Sequence, residues 1–185
     1  LAAIRRVTPL PIVLTVNTHH HPDHFLGNQA FPRASLAALP ETIAAIRSEG
    51  EGFNANMYRL NGNWMRDTEV VVPERALAAG RQRIGGRDVE LRALGGHTVA
   101  DLVVIDHDSG TVYAADLLFN GRTPTTPHAD LARWLAALDT LEGLPARRWV
   151  PGHGEPATDL AALRQTRDYL GWLAQAIRAG AESGQ

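Results

Sequence analysis

A short β-branched run, residues 12–16 (IVLTV), ends directly in Asn17-Thr18-His19-His20-His21-Pro22-Asp23-His24. The run reads as a buried strand and the polar cluster as a loop at its tip, so the fold must bring a sheet edge to whatever these side chains hold. In an extended backbone successive side chains alternate, so His19 and His21 project to one side while His20 points away. Their imidazoles can converge on one ion. Asp23 and His24, just past the rigid Pro22, can turn toward a second.

Three more segments carry a donor beside small residues or a turn at the end of an expected strand. They are Gly95-Gly96-His97-Thr98, Ala114-Ala115-Asp116-Leu117 and Pro151-Gly152-His153-Gly154. The chain has no cysteine, which rules out disulfides, thiolate nucleophiles and sulfur-ligated zinc. Any metal is therefore held by nitrogen and oxygen. His19, His21, Asp23, His24, His97, Asp116 and His153 suit a pair of transition metals, zinc first, with iron or manganese as alternatives. Taken singly, His97 or His153 is more often a surface or hydrogen-bonded histidine, and Asp116 an ordinary turn residue or cap. Four pieces, each at a strand end, are much harder to obtain by chance. His20, His107 and His128 take the ordinary reading: His20 from alternation, His107 from the polar turn His107-Asp108-Ser109, and His128 from a Pro/Thr-rich loop.

Strands are expected over residues 69–72, 82–84, 89–94, 102–106, 111–115 and 148–151. Helices are expected from Pro40 to about Leu60, from an Asp130 cap through about Leu141, and after an Asp159 cap. On the last helix Leu160, Leu163, Leu170, Leu173 and Ile177 form the core-facing stripe. This pattern gives an α/β (α+β) class, a sheet with helices packed against it. With 185 residues and no linker or repeat, the chain reads as a single domain over 1–185. Specificity is expected from loops at residues 49–63 and 120–130.

Eighteen Lys and Arg against 20 Asp and Glu, with no block of one sign, argue against nucleic-acid or anionic-membrane partners. No apolar run approaches the roughly 20 residues needed to cross a bilayer, so a soluble protein acting on a small molecule is expected. The sequence starts at Leu1 and not at methionine, which leaves room for a removed upstream segment such as a signal peptide. Oligomeric state has no signature here.

With these residues in view, the chain resembles the metallo-β-lactamase superfamily, whose H-x-H-x-D-H, G-H-T, bridging Asp and P-G-H-G signals run in order from His19 to His153. More narrowly, NTHHHPDHFLGNQAF, GTVYAADLLF and RWLAALDTLEGLPARRWVPGHG look like the quinoprotein relay system zinc metallohydrolases. The resemblance implies an αββα sandwich, here lacking part of its N-terminal sheet because only 18 residues precede His19. It implies that His19, His21 and His97 bind a first zinc, Asp23, His24 and His153 a second, and that Asp116 bridges them. It further implies a metal-bridging hydroxide that Asp23 orients toward a carbonyl, with Thr98 and Asp101 bonded to ligand imidazoles. The compartment is periplasmic if the quinoprotein likeness holds and cytoplasmic otherwise.

The activity implied is a metal-dependent hydrolase cleaving an ester, thioester or lactam-type bond. Familiar zinc β-lactamases carry Cys or Ser where this chain has Asp116, so the superfamily's name does not itself imply antibiotic hydrolysis. Two readings compete. One is a mononuclear iron enzyme like the persulfide dioxygenases, using His19, His97 and Asp116. The other is a zinc-binding accessory protein of quinoprotein metabolism with little turnover. Cleavage of RNA fits poorly, since no basic patch accompanies the motifs.

Overall fold

The computed structural model describes residues 1–184 and divides into two compact units, the first Leu1–Ala78 and the second running from Ala79 to the C-terminus. In the first unit helix α1 (Ala2–Val7) precedes strand β1 (Thr15–Val16) and the one-turn helix α2 (Pro22–Phe25). Strand β2 (Leu36–Ala38), the long helix α3 (Pro40–Asn61) and strand β3 (Arg75–Ala76) follow. The three strands form one parallel sheet in the order β1-β2-β3.

The strand expected over residues 12–16 shortens to Thr15 and Val16. Pro9 and Pro11 remove ladder donors just before it, and Val13 is exposed. The strand expected over 69–72 does not form. Val71 is buried and Val70 and Val72 pack beside Phe25, Leu26 and Ile46, which accounts for the β-branched run, yet the local main chain is bonded by side chains. Asn28 donates to the Val71 carbonyl, and Gln29 accepts from the Glu69 amide and donates to the Asp67 carbonyl. Residues 49–61, expected as a specificity loop, lie inside α3, and 62–65 continue as a 3-10 turn.

The second unit is a five-stranded sheet in the order β4-β5-β6-β7-β8, built from β4 (Gly80–Ile84), β5 (Arg87–Leu94), β6 (Asp101–Asp106), β7 (Thr111–Phe119) and β8 (Arg148–His153). The first four strands are antiparallel neighbours, and β8 adds parallel to β7 after helix α4 (Leu131–Glu142). Such a crossover is what a parallel pair requires. Nearly every residue of β6 and β7 is buried, as expected of central strands. Val103, Ile105, Val112, Leu117, Trp134, Leu138, Leu141, Leu163 and Leu170 make the core.

Asp130 caps α4 as expected, accepting from the Arg133 amide at 3.0 Å. Helix α5 (Ala161–Ser183) starts after Leu160, where Asp159 accepts from the Ala161 amide at 2.9 Å. Its apolar stripe ends sooner than the sequence suggests: Leu163 and Leu170 are buried, whereas Ile177 is exposed. No helix among the described residues is long and apolar enough to cross a membrane.

Candidate metal centre

The expected donors fall into two groups, one in each unit. In the first unit the main chain leaves β1 and bends through His19 and His20, and His21 is the N-cap of α2 with Pro22 at its first position. Pro is at home there because the first helical amides have no intrahelical partner. The residues between are therefore not extended strand, and simple alternation does not describe them. His20 is buried, its Nε2 3.8 Å from a Glu49 carboxylate oxygen and its ring 6.0 Å from that of Phe53. The His19 ring lies 4.9 Å from that of His21 and 4.2 Å from that of His24. Thr18 Oγ1 lies 3.2 Å from His19 Nδ1. On α2, His24 Nε2 is 3.4 Å from Asp23 Oδ2. The bend and the first turn of α2 thus bring His19, His21, Asp23 and His24 together.

In the second unit His97 lies in the turn between β5 and β6, Asp116 in β7 and His153 at the end of β8. A carboxylate oxygen of Asp116, Oδ2, stands 3.4 Å from His97 Nε2 and 3.2 Å from His153 Nε2. Two features of the backbone aim it there. The pairing of β7 with β8 shifts register on either side of Ala115, whose φ of 48° lies in the left-handed region that few residues with a Cβ adopt. Strain of this kind persists where the surrounding fold over-determines it. On the facing strand a Cβ at Gly152 would sit 1.8 Å from Asp116 Oδ1, so only glycine allows that approach.

Aromatic packing holds the imidazoles. The His97 ring meets Trp134 at 4.8 Å, and His153 stacks on Phe119 at 5.2 Å with 16° between the planes. Phe119 is fixed in turn by Thr166, whose hydroxyl accepts from its amide at 3.0 Å. Gly96 has φ of 127°, and a Cβ there would lie 2.3 Å from Trp134 Cα, so the turn carrying His97 sits against the start of α4. Nothing in the sequence assigns Phe119 or Trp134 to the imidazoles: one ends an apolar strand and the other lies on the apolar face of a helix, positions that core packing alone explains.

Asp101 is almost fully buried and accepts from the Thr98 amide at 2.9 Å and the Thr98 hydroxyl at 2.8 Å. Burial pushes its carboxyl up to about 6, against the opposing pull of the bonds from Thr98 and from the His97 main chain. Thr98 and Asp101 were expected to bond ligand imidazoles; the bonds described here lock the main chain of the His97 turn. His107 behaves as its turn position suggests, with Nε2 3.0 Å from Glu90, and His128 is exposed.

Imidazoles and carboxylates without thiolates form a donor set for zinc or another borderline ion, and the separations fit such a group. A charge-assisted N–H···O bond is about 2.7–2.9 Å long. Two donors each about 2.0–2.1 Å from one tetrahedral ion lie roughly 3.3 Å apart. The three imidazole–carboxylate separations, 3.4, 3.4 and 3.2 Å, match the second figure.

Residues 1–153 match the model of the metallo-beta-lactamase superfamily, a stretch that runs across both units and includes every donor named above. The chain belongs to that superfamily, and its mixed α/β architecture is that of the metallo-β-lactamase fold. Among solved structures it is similar to a metallo-beta-lactamase from Pontibacter korlensis, at 23% identity and a TM-score of 0.71, covering 92% of this chain and 74% of that one. It is also similar to a metallo-beta-lactamase from Hirschia baltica, at 18% identity and a TM-score of 0.70, covering 92% and 73%. A third is the metallo-beta-lactamase FIM-1 from Pseudomonas aeruginosa in its mono-zinc form, at 20% identity and a TM-score of 0.64, covering 88% and 68%. At these identities the likeness is one of fold. No curated protein matches the sequence.

Proposed function

We propose that this chain is a binuclear zinc hydrolase that cleaves an ester, thioester or lactam-type bond in a small molecule. In this reading His19, His21 and His97 hold one ion, Asp23, His24 and His153 hold the other, and Asp116 is common to both. The observation that carries it is the spacing of imidazole and carboxylate donors at tetrahedral-edge distance, between His97, Asp116 and His153 in one unit and between Asp23 and His24 in the other. Membership of the superfamily, with all seven donors inside the matched residues, supports the reading.

When bound, a pair of ions would lower the pKa of water and polarise a carbonyl oxygen. The chain's own residues do the rest. Asp116, buried between two imidazoles, supplies negative charge where cations are to be held. Asp23 is about half exposed and 3.4 Å from His24 Nε2, and its Oδ2 can orient a water and take up its proton. Phe119 and Trp134 keep the His97 and His153 rings in place as charge moves.

The absence of cysteine leaves Asp116 where a thiolate would stand in familiar zinc β-lactamases, which favours esters and thioesters over lactams. The narrower likeness to the quinoprotein relay branch rests on sequence segments alone and suggests substrates in that metabolism.

The test is metal analysis of protein purified without added metal, alongside assays with esters, thioesters and a chromogenic lactam. Near two zinc per chain, with turnover lost on chelation and restored by zinc, is the expected result. One iron with oxygen consumption would replace this reading by the dioxygenase one. Zinc without turnover on any of the three classes would replace it by the accessory-protein one.

A further inference from the structure

Next to the donors of the first unit lies a buried polar pair that no catalytic role accounts for. Asn17 and Asn28 are 3% and 2% exposed. Each amide group donates to the other's carbonyl oxygen, Asn17 Nδ2 to Asn28 Oδ1 at 2.9 Å and Asn28 Nδ2 to Asn17 Oδ1 at 2.8 Å. Each then spends its second N–H on a main-chain carbonyl. Asn17 donates to His24 O at 2.8 Å, and Asn28 donates to Val71 O at 2.8 Å. All four amide hydrogens are used, which also fixes the orientation of both amides, since either flip would set oxygen against oxygen.

The bond to His24 has a particular consequence. Helix α2 has four residues, too few to hold itself together, and Asn17 adds an anchor from outside it through the His24 carbonyl. Its own amide donates to the Ala37 carbonyl of β2 at 2.9 Å, so His24 is tied through a single side chain to the sheet. Asn17 stands two residues before His19, and through it the His19 segment and the His24 segment share one anchor.

We propose that the Asn17–Asn28 pair is a positioning device for the Asp23–His24 half of the metal centre. It sets where that half lies relative to His19 and His21, and hence the affinity for the second ion. This inference rests on the two-ion reading above.

Two near-isosteric substitutions separate positioning from simple support of the fold. Asn17→Asp removes the donors to His24 O and to Asn28, whereas Asn28→Asp removes those to Val71 O and to Asn17 and leaves the His24 bond in place. Both bury a carboxyl group in the same pocket, so both lower Tm, and comparison at similar Tm loss cancels that effect. The readouts are zinc affinity by chelator competition and the electronic spectrum of the cobalt-substituted full chain. The expected result is two ions on wild type, with the second bound about tenfold or more weakly by Asn17→Asp and the first within about twofold. Asn28→Asp is expected to weaken the second ion less. Should Asn17→Asp not fold, Asn17→Leu, neutral and of similar size, carries the same expectation.

Unchanged second-ion affinity in the Asn17 variants, or equal weakening of both ions by both substitutions, overturns the inference and leaves the two-ion reading standing. A wild-type chain that binds fewer than two ions overturns that reading and the inference with it.

Discussion

Single residues decide how close the donors can come. Gly152 is the sharpest case: its φ lies outside the left-handed region, so a methyl group there acts by collision, first with the Asp116 carboxylate at 1.8 Å and then with the Ala115 main chain at 2.9 Å. Gly152→Ala is expected to lower zinc affinity at least about tenfold, read by equilibrium dialysis; full metal content in that variant would show that Asp116 is not a ligand. Asp101→Asn puts an NH2 group among the donors that now bond both carboxylate oxygens. It is expected to cost roughly 1–3 kcal/mol in chemical denaturation. A neutral outcome would mean the His97 turn holds itself.

At this scale the candidate donors were legible in the sequence. His19, His21, Asp23, His24, His97, Asp116 and His153 stand out because their chemistry is rare in ordinary turns and their spacing is short. The residues that aim them were hidden. Asn17 and Asn28 are eleven positions apart and look like loop formers, and their pairing exists only once α2 folds between them.

Elements were legible where periodicity and hydrogen bonding agree. Helix α3 formed over its expected span in spite of Gly50 and Gly52, because its buried face, including Ile43 and Ile46, outweighs their low propensity. The two glycines differ in what surrounds them. A Cβ at Gly52 would meet nothing within 4 Å, while one at Gly50 would lie 2.8 Å from Val70 Cγ1. Gly52→Ala is therefore expected to stabilise by about 0.5–1 kcal/mol and raise Tm. Gly50→Ala should gain less or nothing, and equal gains would mean that Val70 yields freely. Residues 69–72 misled because a run of β-branched residues can also pack onto a core from a loop whose amides and carbonyls are satisfied by side chains.

The hairpin of β6 and β7 carries a pH-dependent contribution away from the donors. The hydrogen bond from Arg87 holds the Asp106 carboxyl below its ordinary 3.8, with burial opposing and Ser109 helping. A lowered carboxylate stabilises the fold above its unfolded value and loses that stability as pH falls through the folded one. Asp106→Asn should thus lower Tm near neutral pH, and the gap to wild type should close as pH drops below 3.8. Arg87 is half exposed, so solvent screens the pair and the difference is small. A gap that does not vary with pH would assign it to packing.

For the whole molecule, the class of fold followed from strands ending in donors, and the superfamily match spans 1–153 in agreement with it. The division into units at Ala78 carries no linker composition and no repeat, so nothing in the sequence announced it. If ions bind the native chain and not the unfolded one, each adds about 2.7 kcal/mol at a free concentration 100-fold above its Kd. Chelation should therefore lower Tm and zinc should restore it; a Tm indifferent to chelation would mean the fold does not depend on its ions.

In the proposed centre His19 and His97 serve one zinc, and zinc per chain in wild type, His19→Ala, His97→Ala and the double variant tests this directly. About two ions are expected in wild type, with loss of the same single ion in each variant and no further loss in the double. Independent, additive losses from the two substitutions would contradict a shared centre.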